Sequence, residues 1–219
     1  MADNLTDQEQ LQVLKNWWKE NGQTIVIAIV LAASAYFAWQ WWTQYQKDYA
    51  DEAFSLYIEL TETLDGPDQQ ALSDEKKRTA NFLISQLQDQ YGASFYAAAA
   101  SLLQAKLAAD EGELDETEIA LTRAIALGDD SVDVIARLRL ARVHLAQDKL
   151  DQALSMATYQ NDDEFTGLYA ATRGDILLAK GDKPGAQTAY QMALDAFGGD
   201  NQLQRRLIEI KLSDLVARD

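Results

Sequence analysis

The chain has 219 residues, room for one sizeable domain with accessories, and 47% hydrophobic against 25% charged residues excludes wholesale disorder. A formal net charge of −16 works against nucleic acid as a partner, because phosphate backbones are gripped by clustered Lys and Arg. With no cysteine, disulfides, thiol chemistry and Cys-based metal sites are excluded.

Pro occurs twice and Gly 11 times, while Ala, Leu, Gln, Glu and Asp dominate, so the expected fold class is all-α. Residues 1–23 read as a cytoplasmic N-terminal tail with a short amphipathic helix. "TDQE" (Thr6 to Glu9) is a capping-box pattern ahead of Leu11, Leu14 and Trp18 at i, i+3 and i+7.

Residues 24–42 carry no charge, and as a helix they would rise roughly 28 Å, close to the hydrocarbon thickness of a bilayer. Trp17 and Trp18 flank one edge and Trp39, Trp41, Trp42 and Tyr45 the other, as interfacial belts do. The triplet "ASA" (Ala33 to Ala35) has the form of a signal-peptidase site. Two lysines against four acids in the first 20 residues are a poor n-region, however, and Tyr36, Phe37 and Trp39 continue the apolar run past the site. The stretch is therefore expected to stay as a single transmembrane helix, with the lipid bilayer as its surroundings. Ala28 with Ala32, and Ser34 with Ala38, have the small-xxx-small spacing of a helix-packing face. Lys15 and Lys19 before the span against Lys47 after it place the N-terminus in the cytoplasm and the bulk of the chain on the far side.

Residues 43–92 read as a membrane-proximal helix pair, an atypical first repeat unit: Lys47 to Leu64, a break at "DGPD", then about Ser73 to Tyr91. Residues 93–200 repeat. Aligning their turns puts Gly112, Asp148 and Gly181 in register, at separations of 36 and 33 that bracket the 34-residue tetratricopeptide period. Seven places before each turn stands a small residue (Ala105, Ala141, Gly174), and five places after it Thr117, Ala153 or Ala186 enters the same seam. Four further on lie Leu121, Ala157 and Tyr190, and three beyond that Ala124, Gln160 and Ala193; Ala157 and Gln160 weaken the second helix of the middle repeat. Residues 201–219 read as a C-terminal capping helix with Leu203, Leu207, Ile210 and Leu215 as its stripe. The architecture expected is one transmembrane helix followed by a tetratricopeptide-like helical-repeat solenoid.

Catalysis needs a nucleophile, a tuned acid–base pair, a metal or a cofactor. The single histidine, His144, falls where the repeat places a packing residue, and the carboxylate runs "NDDE" and "GDD" fall in turns. No Gly-rich phosphate loop or EF-hand pattern occurs, so a non-enzymatic chain without cofactor, metal or small-molecule substrate is expected. Recognition remains. The first helices of stacked pairs line a concave face, and counting from the turns puts Leu102, Lys106, Leu138, Arg142, Leu145, Leu168, Asp175 and Leu178 on it. Leucines with isolated charges suit an extended or amphipathic peptide segment.

The tail "LKNWWKENG", the span "TIVIAIVLAASA" and the repeats "RLRLARVHLAQDKLDQAL" and "RGDILLAKGDKPGAQTAY" together resemble the YfgM family of Gram-negative inner membranes. The resemblance covers nearly the whole chain. It implies an ancillary subunit of the SecYEG translocon, held in the inner membrane with a periplasmic repeat domain. It further implies a membrane-anchored parvulin-like chaperone, PpiD, and exported polypeptides as partners, and restraint of an envelope-stress regulator by the cytoplasmic tail. The residues alone also allow a helical-repeat scaffold for another periplasmic or envelope assembly.

Overall fold

The computed structural model describes residues 7–65, 72–158, 164–198 and 201–217. Among the described residues there are nine α-helices and no strand. The chain divides into two compact units, Met1–Glu52 and Ala53–Asp219.

The first unit is built from α1 (Asp7–Leu64) up to Glu52. Most of its apolar side chains are exposed: Leu31 is 65% exposed, Phe37 67% and Trp39 68%. Exposing so long an apolar run to water would cost on the order of 25 cal/mol per Å², whereas in lipid the helix satisfies its own backbone and the side chains are at home. Among the described residues α1 is the one helix long and apolar enough to cross a membrane. Ser34 Oγ donates to the Val30 carbonyl at 2.8 Å, which satisfies the serine hydroxyl within its own helix. At the far edge Tyr45 stacks against Trp41 (6.1 Å between centroids), Trp42 (6.4 Å) and Tyr49 (6.3 Å). The expected tail helix is the start of α1 itself; no helix end marks the junctions 23/24 or 42/43. Thr6 of the capping box lies outside the described residues.

The second unit takes in α1 from Ala53, then α2 (Asp74–Gln90), α3 (Phe95–Asp110), α4 (Leu114–Ala126), α5 (Asp130–Ala146), α6 (Leu150–Met156), α7 (Thr166–Ala179), α8 (Lys183–Ala196) and α9 (Gln202–Ala217). Short polar side chains start several of these helices by accepting from otherwise orphaned amides. Ser73 takes the Lys76 N–H, Ser94 that of Ala97, Asp129 those of Ser131 and Val132, and Asp182 that of Gly185. The core is a row of clusters, each shared by three successive helices. Leu60, Ile84 and Ala97 belong to the first, Ala105, Leu121 and Leu140 to the next, Ala141, Ala153 and Ile176 to the third, and Ala170, Tyr190 and Ile208 to the last. Contacts confined to neighbours are the mark of a solenoid.

The turns anticipated at 112, 148 and 181 are equivalent in detail. Gly112 (φ 78°), Asp148 (φ 59°) and Gly181 (φ 81°) all sit in the left-handed region. In each the next amide along the chain reaches back five residues: Glu113 to Ala108 at 2.9 Å, Lys149 to His144 at 2.8 Å, Asp182 to Leu177 at 2.9 Å. This closure satisfies carbonyls that the ending helix would leave bare. Around each turn the small-residue seam is buried as expected. Ala105 is 2% exposed and Ala141 0%, while Gly174 lies so close to the Tyr190 ring that a Cβ would overlap it. The middle repeat is the weak one: α6 has 7 residues against 13 in α4 and 14 in α8. Gln160 lies outside the described residues.

The capping helix docks by a different face from the one expected. Ile208 (4%) and Leu215 (7%) are buried, with Leu212 packed beside them, while Leu203 (70%), Leu207 (52%) and Ile210 (51%) point outward. Helical geometry explains it: Leu215 is 12 residues from Leu203, about 120° away around the axis, so the four leucine and isoleucine positions never formed one stripe. Arg205 completes the joint by donating to the Leu194 carbonyl at 2.5 Å and the Phe197 carbonyl at 2.8 Å at the end of α8.

Candidate functional site

Helix α3 lies against α5 and α5 against α7, whereas α4, α6 and α8 each touch the first helices on either side. Helices that touch one another directly make the more closely spaced layer of a curved stack, so the layer α3–α5–α7 is its inner side. The eight positions singled out from the turn register all fall on these three helices, but they do not share one role. Leu138 is 5% exposed and belongs to the interior. Leu102, Leu145 and Leu168 are half-buried and pack against successive core clusters. Lys106 is exposed and makes a 3.5 Å ion pair with Asp110 one turn on. Leu178 stays 39% exposed.

Arg142 and Asp175 occupy the same place in their repeats, six residues before the turn, and differ in how they are held. Arg142 Nε donates to Thr172 Oγ1 on α7 at 3.2 Å. Its guanidinium is open to solvent on one side, but burial against the neighbouring helices pushes its pKa below the ordinary arginine value, with Asp175 acting to raise it and Arg139 to lower it. Asp175 accepts from Tyr190 OH at 2.7 Å and from Lys211 Nζ at 2.5 Å, tying α7 to α8 and α9. Burial, then the hydrogen bond to Asp175, pushes the Tyr190 hydroxyl well above the usual phenol range.

A polar seam runs between the repeats, beyond the positions that the turn register singled out. Gln147, one residue before its turn, donates to Asp115, three residues after the previous turn, at 2.9 Å. Lys180 pairs with Asp151 at the same two register positions one repeat later. Lys149 Nζ donates to Glu118 Oε2 at 2.6 Å, which together with the weaker influence of His144 holds the Glu118 carboxyl below its usual range. The repeat register carried the signal: positions 147 and 180 are equivalent, as are 115 and 151. His144 is 4% exposed; its Nε2 lies 3.4 Å from Glu118 Oε1, too long for a strong hydrogen bond. That places it in the packing of α5 on α4. The face positions Ala28, Ala32, Ser34 and Ala38 are all exposed on α1. Six residues separate Ala28 from Ser34, so the two small-residue pairs face directions about 120° apart, and Ala35, seven residues on from Ala28, shares the direction of the first pair.

A family model described as a tetratricopeptide repeat-like domain matches residues 15–217. The chain is 32% identical over 216 residues to the ancillary SecYEG translocon subunit of Haemophilus influenzae, covering 98% of this chain and 100% of the relative. The proteins of the same name from Neisseria gonorrhoeae (30% over 216 residues; 98% and 100%) and Escherichia coli strain K12 (28% over 187 residues; 84% and 85%) are also similar. No solved structure matches. With the exposed apolar helix, the three equivalent turns and full-length similarity together, the chain belongs to the tetratricopeptide repeat-like family of the ancillary SecYEG translocon subunits.

Proposed function

We propose that this chain is an ancillary SecYEG subunit, a non-catalytic adaptor anchored by its single apolar helix. In this reading the N-terminus is cytoplasmic and the repeat domain periplasmic, where its inner helix layer meets exported polypeptides and the membrane-anchored chaperone PpiD. One observation carries the reading: similarity to the translocon subunits runs through both the apolar helix and the repeats, over 98% of the chain. Purification in mild detergent with the span intact, with identification of co-purifying proteins, tests it. Translocon and chaperone subunits are expected, and their absence would sink the assignment. Because the chain has no cysteine, orientation is read from single introduced thiols. Met192→Cys should react with an impermeant maleimide added outside the inner membrane and Ala2→Cys should not; the reverse would invert the topology. Charge reversal at Lys106 or Arg142 should weaken partner capture while leaving the helical content intact.

A further inference from the structure

The inner layer is cationic at its centre although the chain as a whole carries a net charge of −16. Arg139 and Arg142 lie three residues apart on α5, neighbours on one helix face. Arg137 on the same helix is satisfied by Asp133 at 2.6 Å. Arg142, by contrast, has the Thr172 hydroxyl as its one hydrogen-bond partner and no carboxylate within ion-pair distance among the described residues; Arg139 has neither. The carboxylate in the same row, Asp175, already accepts from Tyr190 and Lys211. Of those between the repeats, Glu118 and Asp151 are taken by Lys149 and Lys180, and Asp115 accepts from Gln147.

A guanidinium that has lost part of its water without gaining a carboxylate is unfavourable, and its planar fork of donors matches a carboxylate in two parallel bonds. One turn further along, at equivalent places in their repeats, stand Leu145, half-buried, and Leu178, 39% exposed. We propose that Arg139 and Arg142 receive the Glu or Asp side chain of an extended partner segment, whose flanking apolar residues lie against Leu145 and Leu178. This rests on the reading of the inner layer as the binding face. It adds what that face selects: acidic, apolar-flanked segments, which the rest of this acidic surface would repel.

The test uses the full chain in lipid nanodiscs and two fluorescein-labelled ten-residue peptides of alternating Ser and Leu, one with a central Glu and one with a central Gln. The Glu peptide is expected to bind about tenfold more tightly than its Gln twin, the scale of one charge-assisted hydrogen-bonded pair. That preference should weaken as salt is raised. Arg142→Gln should bring the two peptides to equal affinity without changing the Gln peptide, with helical content monitored by circular dichroism. Arg139→Gln, at a position with no hydrogen-bond or ion-pair partner among the described residues, should narrow the preference by a smaller factor and serves if the first variant fails to fold. Equal binding of both peptides to the unaltered protein overturns the acidic preference and leaves the inner layer as a binding face. Binding of neither overturns both.

Discussion

The middle and third repeats have the same turn, the same backbone closure and the same register, yet they close their seams in opposite ways. In the third, Gly174 gives up its whole side chain so that Tyr190 can lie fully buried across it, and Tyr190 in turn reaches Asp175 and so Lys211 on α9. In the middle one Ala141 faces Ala157, α6 stops after 7 residues, and Ile176 from the next repeat fills the cluster. The first repeat lies between, with Ala105 and Leu121. The same seam is thus filled by different combinations of side chains rather than by any one residue, which is how close-packed interiors tolerate exchange. The weak repeat is held by its C-terminal neighbour, as nearest-neighbour stacking allows.

The sharpest way to break this comparison is Tyr190→Ala. It should cost about 3–5 kcal/mol by cavity formation, and it cuts the hydrogen bond to Asp175, so urea unfolding of the repeat domain should shift by that amount. Gly174→Ala comes next. The gain in helix propensity is about 1 kcal/mol, but overlap with a fully buried ring outweighs it, for a net loss of about 2 kcal/mol. Adding Tyr190→Leu, which recreates the Ala105–Leu121 pairing, should recover part of that loss. Additive effects would mean the two positions do not share a seam.

Smaller effects sharpen the likeness instead. Asp148 holds a left-handed backbone that glycine holds in its two sister turns, so Asp148→Gly should stabilise the domain by roughly 0.5 kcal/mol and Gly181→Asp should weaken it. The smallest effect is a pH dependence. Glu118 is held below its usual range chiefly by Lys149, so its folded-state pKa is lower than its unfolded one. Its contribution is fully present above the unfolded carboxyl value of about 4.3 and is lost as pH falls through the lower folded value. Glu118→Gln should therefore be less stable than the parent at pH 7, and the two urea midpoints should converge toward pH 3. Parallel curves would show that the Lys149 bond contributes nothing.

Much of the fold is legible in one sequence because helical repeats are written locally. A turn residue, a small residue seven before it and another five after it are read along the chain without knowing what lies opposite. The inner-layer charges are only half legible. Arg142 and Asp175 look alike by register, and Lys211, which engages Asp175 from 36 residues away, is invisible from either helix alone. Leu138 looks like a groove residue for the same reason, since an apolar side chain on a first helix reads identically whether it faces a ligand or the interior.

By itself, then, the sequence determined the all-α class, the uncharged stretch of residues 24–42, the three turns and the small-residue seam, because each arises from the conformational and hydrophobic preferences of short segments. The tertiary structure alone decided which of the apolar directions on α9 docks, which charged groups of the inner layer are already paired, and that the short α6 is completed by Ile176. Those outcomes depend on volumes and partners some thirty residues distant, and periodicity within one helix carries no information about either.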